Sequence, residues 1–183
     1  MIRAATLSLA CAALALIAPP AAAQALNPQP VNPQALNPQV DYPAFAELVV
    51  KLGPVREAHR LGWAEFAARA RSGGAILLDA RSADAFARGH LAGAVNLPFT
   101  DFTAQSLREV LGEPGDRPVY IYCNNNFSDD RDPVVTKAAP LALNIPTFVN
   151  LHGYGYGNVW ELADTLRFAE LGPDWVMGAA LAD

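Results

Sequence analysis

The chain has 183 residues, enough for one domain with extensions, and its 52% hydrophobic content is inflated by an alanine-rich start. Its formal net charge of −5, with no basic run or aromatic-basic stripe, excludes nucleic acid as a partner, because phosphate binding needs a basic face.

In chain order, the first feature is a stretch with the layout of an export signal. Arg3 supplies a positive start, residues 4–18 are apolar but short for a bilayer span, and Pro19-Pro20 breaks the run. Ala21-Ala22-Ala23 and Ala23-Gln24-Ala25 offer small-x-small cleavage patterns, so residues 1–25 are read as a signal peptide and the mature protein as periplasmic or secreted. Ser8-Leu9-Ala10 is a poor context for lipid attachment at Cys11, and no stable membrane insertion is expected after cleavage. Removal of the signal leaves Cys123 alone. No intrachain disulfide can then form, and an exported thiol without a partner is either buried and inert or present to react.

Residues 26–43 repeat Asn-Pro-Gln units at 27–29, 32–34 and 37–39, and proline there favours an extended linker. A domain is expected over residues 44–176, followed by a tail at 177–183. Phe45, Leu48, Val49 and Leu52 recur at helical spacing, with Gly53-Pro54 read as a stop and residues 55–61 as an edge strand. Residues 63–71 read as a helix with Trp63, Phe66, Ala67 and Ala70 on one face, closed by Ser72-Gly73-Gly74. The continuous apolar run at 75–80 is typical of a strand buried on both faces. A helix at 83–88, a strand at 94–97, a helix at 102–111 and a core strand at 118–122 follow, with Cys123 at that strand's carboxyl end. Then come a helix at 136–143, a strand at 147–151 and a closing helix at 159–171. Strands alternating with helices predict an α/β fold: three layers, a mostly parallel central sheet and helices on both faces.

Ligands of open parallel sheets bind beyond the carboxyl ends of the strands. Three loops are expected to converge there, at 79–81, 123–132 and 152–157, and the middle one holds the thiol. Asn124, Asn125 and Asn126 directly follow Cys123, with Phe127 and Ser128 after them. Asparagine tolerates left-handed φ better than other non-glycine residues, so this stretch can turn backbone N–H groups inward as an anion-holding nest. An asparagine-rich solvated turn over a buried Cys123 fits the same spacing.

Leu78-Asp79-Ala80-Arg81, then Asp84, Phe86, Gly89-His90-Leu91-Ala92-Gly93-Ala94 and Asn96-Leu97-Pro98, resembles the first signature of rhodanese-like domains. Val119-Tyr120-Ile121-Tyr122-Cys123 is similar to that family's strand into its active-site cysteine, and residues 151–160 to its glycine-rich segment ending in tryptophan. The resemblance covers roughly residues 55–168. It implies that Cys123 takes sulfur from a donor as a persulfide and passes it to an acceptor. It implies also that Asn124, Asn125, Asn126, Phe127 and Ser128 cradle the outer sulfur, while Asp79, Arg81 and His90 serve the architecture and Trp160 the core.

The chain departs from that family in the loop after the cysteine. Neither Gly nor Arg occurs between Cys123 and Ser128, and Arg131, the first arginine, is flanked by Asp129, Asp130 and Asp132. Acidic neighbours disfavour a thiolate and an anionic donor, so thiosulfate is a poor expected donor. Cysteine-dependent phosphatases of this fold clamp phosphate with an arginine separated from the cysteine by five residues; here that position is Asp129. The aspartates lack the glycine and closing glutamate of a calcium loop, and His59, His90 and His152 have no zinc spacing, so no metal is expected. No organic cofactor is expected either, since no phosphate-binding glycine motif follows a strand. His152 is a candidate thiol-activating base. Two readings result: a periplasmic sulfurtransferase or sulfane-sulfur carrier working through a Cys123 persulfide with a small sulfur-containing donor and acceptor, or a catalytically altered binding or redox-sensing module whose partner is an envelope protein.

Overall fold

The computed structural model describes residues 37–177, so the expected signal peptide and most of the linker lie outside the described residues, as does most of the tail. The first helix, α1 (Tyr42–Ala58), begins inside the stretch read as linker: Asp41 caps it, its Oδ1 accepting from Ala44 N at 2.9 Å. The helix also runs through Gly53-Pro54 and takes most of the expected edge strand with it. Pro54 and Val50, whose carbonyl loses its helical donor, both face solvent, where water satisfies the freed group.

Strand β1 (Arg60–Leu61) is the remaining part of that edge strand. Helix α2 (Trp63–Ala70), β2 (Ile76–Asp79) and α3 (Ala83–Arg88) follow as expected. Next come the short strands β3 (His90–Leu91) and β4 (Val95–Asn96), helix α4 (Ala104–Leu111) and β5 (Val119–Tyr122).

The last third of the chain corrects the sequence reading. Instead of a helix at 136–143 there is only a 3-10 turn, Ala139–Leu141. The expected strand at 147–151 lies within helix α5 (Asn144–Gly153), and the expected closing helix begins as strand β6 (Val159–Leu162). The physical reasons are local. Pro146 sits in the first turn of α5, where its missing N–H would have had no helical partner. Val159 and Trp160 suit a pleated, two-sided burial, and β6 is buried at three of its four positions. Short apolar runs carry no periodicity that separates these alternatives.

Five of the strands form one sheet in the order β1-β6-β5-β2-β4, every neighbouring pair parallel. The last strand, β7 (Trp175–Val176), pairs antiparallel with β3 in a separate ribbon. Alternation along the strands splits the core into two layers. Ile76, Leu78, Val119, Ile121 and Val159 pack with Leu52 of α1, Leu107 and Leu111 of α4, and Phe148 and Leu151 of α5. Leu77, Tyr120, Tyr122 and Leu162 face the other way, onto Phe66 of α2, Leu91 and Phe127. This is the expected three-layer α/β arrangement. None of the helices within residues 37–177 is long and apolar enough to cross a membrane.

Candidate active site at the end of the central strand

Asp79 and Tyr122 are register partners, so β2 and β5 end level with one another and deliver Asp79–Arg81 and Cys123 to the same edge. The segment 152–157 does not join them. It precedes β6 and packs at the amino ends of the strands, with Tyr156 donating to Gly112 O at 2.8 Å and Asn158 Nδ2 to Asp116 O at 2.7 Å. His152 lies in the last turn of α5, its Nδ1 3.0 Å from Phe148 O, with burial lowering its pKa. Cys123 faces the first turn of that helix. His152 is therefore no base for the thiol.

Cys123 follows Ile121 by two residues and so faces the α1–α5 side of the sheet. It is 1% exposed. Backbone N–H groups of Asn144, Asn125 and Leu143 are directed to its sulfur and favour the thiolate. Two of these amides are the N-cap and first residue of α5, where the helix dipole adds to the same effect. Burial is nevertheless the largest influence, and together with the negative charge of Glu161 it leaves the thiol pKa above its ordinary value. Burial thus outweighs the amide donors at this sulfur.

The asparagines also act differently from the expected nest. Asn124–Asn126 form a right-handed 3-10 turn, and the non-glycine residue with positive φ among those described is Asp130. Asn126 is a buried post. Its Oδ1 accepts from Cys123 N and from Asn144 Nδ2, both at 2.9 Å, and its Nδ2 donates to Leu162 O at 2.8 Å and Asp164 O at 3.1 Å. Asn125 pairs with Lys137 in both directions, Nδ2 to the carbonyl at 2.7 Å and Oδ1 from the amide at 3.1 Å, while Asn124 Nδ2 donates to Val135 O at 2.9 Å. The asparagine side chains thus tie the turn to the rest of the fold, while the Asn125 backbone N–H turns to the sulfur. Phe127 is buried edge-on against Tyr122 and Trp175, and Ser128 is held to Leu166 O through its N–H at 2.8 Å.

The acidic loop does not charge the sulfur. Asp129 accepts from Phe168 N and Asp130 from Thr136 N, each at 3.0 Å, while Asp132 pairs with Arg88 at 2.9 Å. Arg131 lies over the Phe168 ring, 5.1 Å from its centroid.

On the opposite face, Arg81 donates to Asp79 through Nε and Nη2, the latter at 2.6 Å, and also to Gly89 O at 2.7 Å and Pro133 O at 3.1 Å. Tyr122 Oη donates to Asp79 at 2.5 Å and accepts from Leu91 N at 3.0 Å. His90 closes the end of α3 by bonding Phe86 O at 2.8 Å. Trp160 is sandwiched between His59, at 4.3 Å, and Arg69.

Sequence reasoning missed Leu143, Asn144, Glu161 and Arg56. Arg56 holds the Glu161 carboxylate through two contacts of 2.6 Å, and Asn144 Nδ2 lies 3.4 Å from the same carboxylate. One signal was present: a glutamate inside the apolar stretch Val159-Trp160-Glu161-Leu162 needs a buried cation.

The thiol thus lies at the end of the central strand, against amides from the following turn and from the first turn of α5. The family model of the rhodanese-like domain matches residues 63–163. The chain belongs to the rhodanese-like domain family. Similar solved structures include the BH2092 protein of Bacillus halodurans, 13% identical over 66% of this chain and 77% of that one, with a TM-score of 0.43. A Rhodanese_3 like domain of the Alr3790 protein of Anabaena sp. is 17% identical over 59% of this chain and 97% of its own, with a TM-score of 0.40. A rhodanese-like domain of the same Anabaena protein is 16% identical over 62% and 98%, with a TM-score of 0.39. No curated protein gives a significant match. Within this rhodanese-like frame, Cys123 occupies the end of the third sheet strand in the order, and the matched segment begins after Arg56.

Proposed function

We propose that this rhodanese-like protein is a sulfane-sulfur carrier, a sulfurtransferase in which Cys123 holds the transferred atom as a persulfide. The observation that carries the reading is the convergence of the Asn125, Leu143 and Asn144 backbone N–H groups on the Cys123 sulfur. An outer sulfur added there gains the same donors, and a persulfide, more acidic than a thiol, is the species that such amides favour as an anion.

The transfer balances without a redox partner. The Cys123 thiol loses its proton to solvent, and the thiolate attacks the outer sulfur of a donor persulfide. The new S–S bond forms as the donor's own S–S bond breaks, and the donor leaves as a thiolate that takes up a proton. Attack by an acceptor thiolate on the outer sulfur reverses the sequence and restores Cys123.

Thiosulfate is disfavoured as donor, because Glu161 acts on the sulfur and Arg131, the first arginine after the cysteine, is turned onto Phe168. The setting proposed is periplasmic, resting on Arg3, the short apolar run and the cleavage patterns that follow it.

Intact mass measured after incubation with polysulfide and removal of excess reagent tests the reading. A gain of one sulfur atom is expected for the parent and none for Cys123→Ser; an unchanged parent mass with every sulfane donor overturns it. The near-complete burial of Cys123 favours a second reading, a binding or redox-sensing module with an envelope protein as partner. Partner capture that persists in Cys123→Ser, together with an unmodified parent mass, supports that alternative.

A further inference from the structure

Glu161 and Arg56 form a buried ion pair that the sulfur-transfer chemistry above does not use. Glu161 lies on β6 opposite Ile121, two residues before Cys123, and its side chain is 4% exposed. Arg56 comes from α1, grips both carboxylate oxygens at 2.6 Å and is 23% exposed at its side chain. A continuous set of contacts leads from this pair to the thiol. Asn144 Nδ2 faces the Glu161 carboxylate at 3.4 Å and donates to Asn126 Oδ1 at 2.9 Å, and the same Oδ1 accepts from Cys123 N. The backbone N–H of Asn144 is one of those directed to the sulfur. One buried side chain therefore reads the carboxylate while its own amide serves the reacting atom.

We propose that Arg56 is a positioning residue for Cys123: by compensating the Glu161 carboxylate beside the sulfur, and so holding Asn144 in place, it lets helix α1 govern thiolate formation in the rhodanese-like site. This rests on Cys123 being the reacting atom. Arg56 lies before residues 63–163, so the matched segment contains the carboxylate and the N-terminal helix brings the cation.

The other charged groups around the site are engaged elsewhere. Asp129 and Asp130 accept backbone N–H groups, Asp132 pairs with Arg88, and Arg131 stacks on Phe168. Lys137 meets Asn125 through its backbone, and Asp164 turns its carboxylate to Trp63 N at 2.7 Å. His152 lies at the far end of α5, and Asp79, Arg81 and Tyr122 belong to the opposite face of the sheet. Glu57, on α1, is exposed and pairs with Arg60 at 3.2 Å, its other oxygen lying 3.7 Å from Arg56. Glu161 is the charge that acts on the sulfur directly.

The test is the rate of iodoacetamide alkylation of Cys123 in the full chain against pH, with thermal melts alongside. Arg56→Met leaves the carboxylate uncompensated and should move the alkylation midpoint up by about one pH unit, a roughly tenfold slower reaction at pH 8. Glu161→Gln leaves the cation alone and should move the midpoint down. The double variant, neutral like the native pair, should return near the parent, and Arg56→Lys should rescue. If Arg56→Met does not fold, Glu161→Gln and the double variant decide. Midpoints that are equal throughout, or that move in one direction whatever charge is removed, overturn the proposal, since loosened packing alone would speed every variant. Alkylation needs no sulfur donor. Shifted midpoints without persulfide formation remove the carrier reading alone, and persulfide formation with unshifted midpoints removes the role of Arg56 alone.

Discussion

Cys123 is subject to two opposed influences. The amides of Asn125, Leu143 and Asn144 pull its pKa down, while burial and Glu161 push it up, and burial is the larger. The sequence made the cysteine conspicuous, because removal of the expected export signal would leave Cys123 with no disulfide partner to explain it. It could not show Asn144 or Arg56, which lie far away in the chain and reach the site only through packing. Asn124, Asn125 and Asn126 were legible as special and misread in their role, since hydrogen-bonding side chains serve a tether as well as a left-handed turn. Tyr122 gives a residue-scale prediction. Its hydroxyl serves both Asp79 and the Leu91 N–H, and burial above all holds its pKa well above the usual phenol value. Tyr122→Phe leaves two buried polar groups short of a partner and should cost about 1–3 kcal/mol in urea denaturation.

Elements with clear periodicity or punctuation were legible. Helix α2 was marked by Trp63, Phe66, Ala67 and Ala70 on one face, and β2 by an unbroken apolar run. Helix α5 and strand β6 were exchanged because their apolar runs are short and both are buried, so that neighbours in space rather than the runs themselves set the conformation. Helix α1 passes through Pro54 because it packs Leu52 into the core on one side and exposes the proline on the other. Gly89, within the signature segment, gives a prediction at this scale. Its φ of 164° is extended and open to any residue, yet a Cβ there would stand 2.5 Å from the Trp175 ring. Gly89→Ala should therefore displace Trp175 and loosen the β3–β7 ribbon, at a cost of about 1–3 kcal/mol read as a lower melting temperature and altered tryptophan fluorescence. An unchanged melting temperature would show that Trp175 moves aside freely.

At the scale of the whole molecule, the neutral acids with raised pKa among the described residues are Cys123, Tyr120, Tyr122 and Tyr156, each shifted mainly by burial. A raised folded pKa means that the folded state retains protons the unfolded chain has released. The associated stability is fully present below the unfolded value, about 8.5 for cysteine and about 10 for tyrosine, and is lost as pH rises through the folded values. Unfolding free energy should thus begin to fall near pH 8.5 and fall more steeply above pH 10. Cys123→Ser should remove the first decline and leave the second, as denaturant titrations from pH 7 to pH 11 would reveal. A Cys123→Ser profile that still declines between pH 8.5 and 10 would assign that loss to another group.

By itself the sequence determined the α/β class, the family frame from Leu78 to Pro98, and the position of the thiol after the central strand, because apolar runs and strand-ending residues act over a few neighbours. Tertiary structure decided which helix end meets the sulfur, which glutamate lies beside it and which arginine compensates that charge. It also decided that burial outweighs the amide donors at the thiol and raises its pKa. Desolvation and Coulomb interaction depend on distance through space, and residues 56, 144 and 161 become neighbours of Cys123 only when the sheet has assembled.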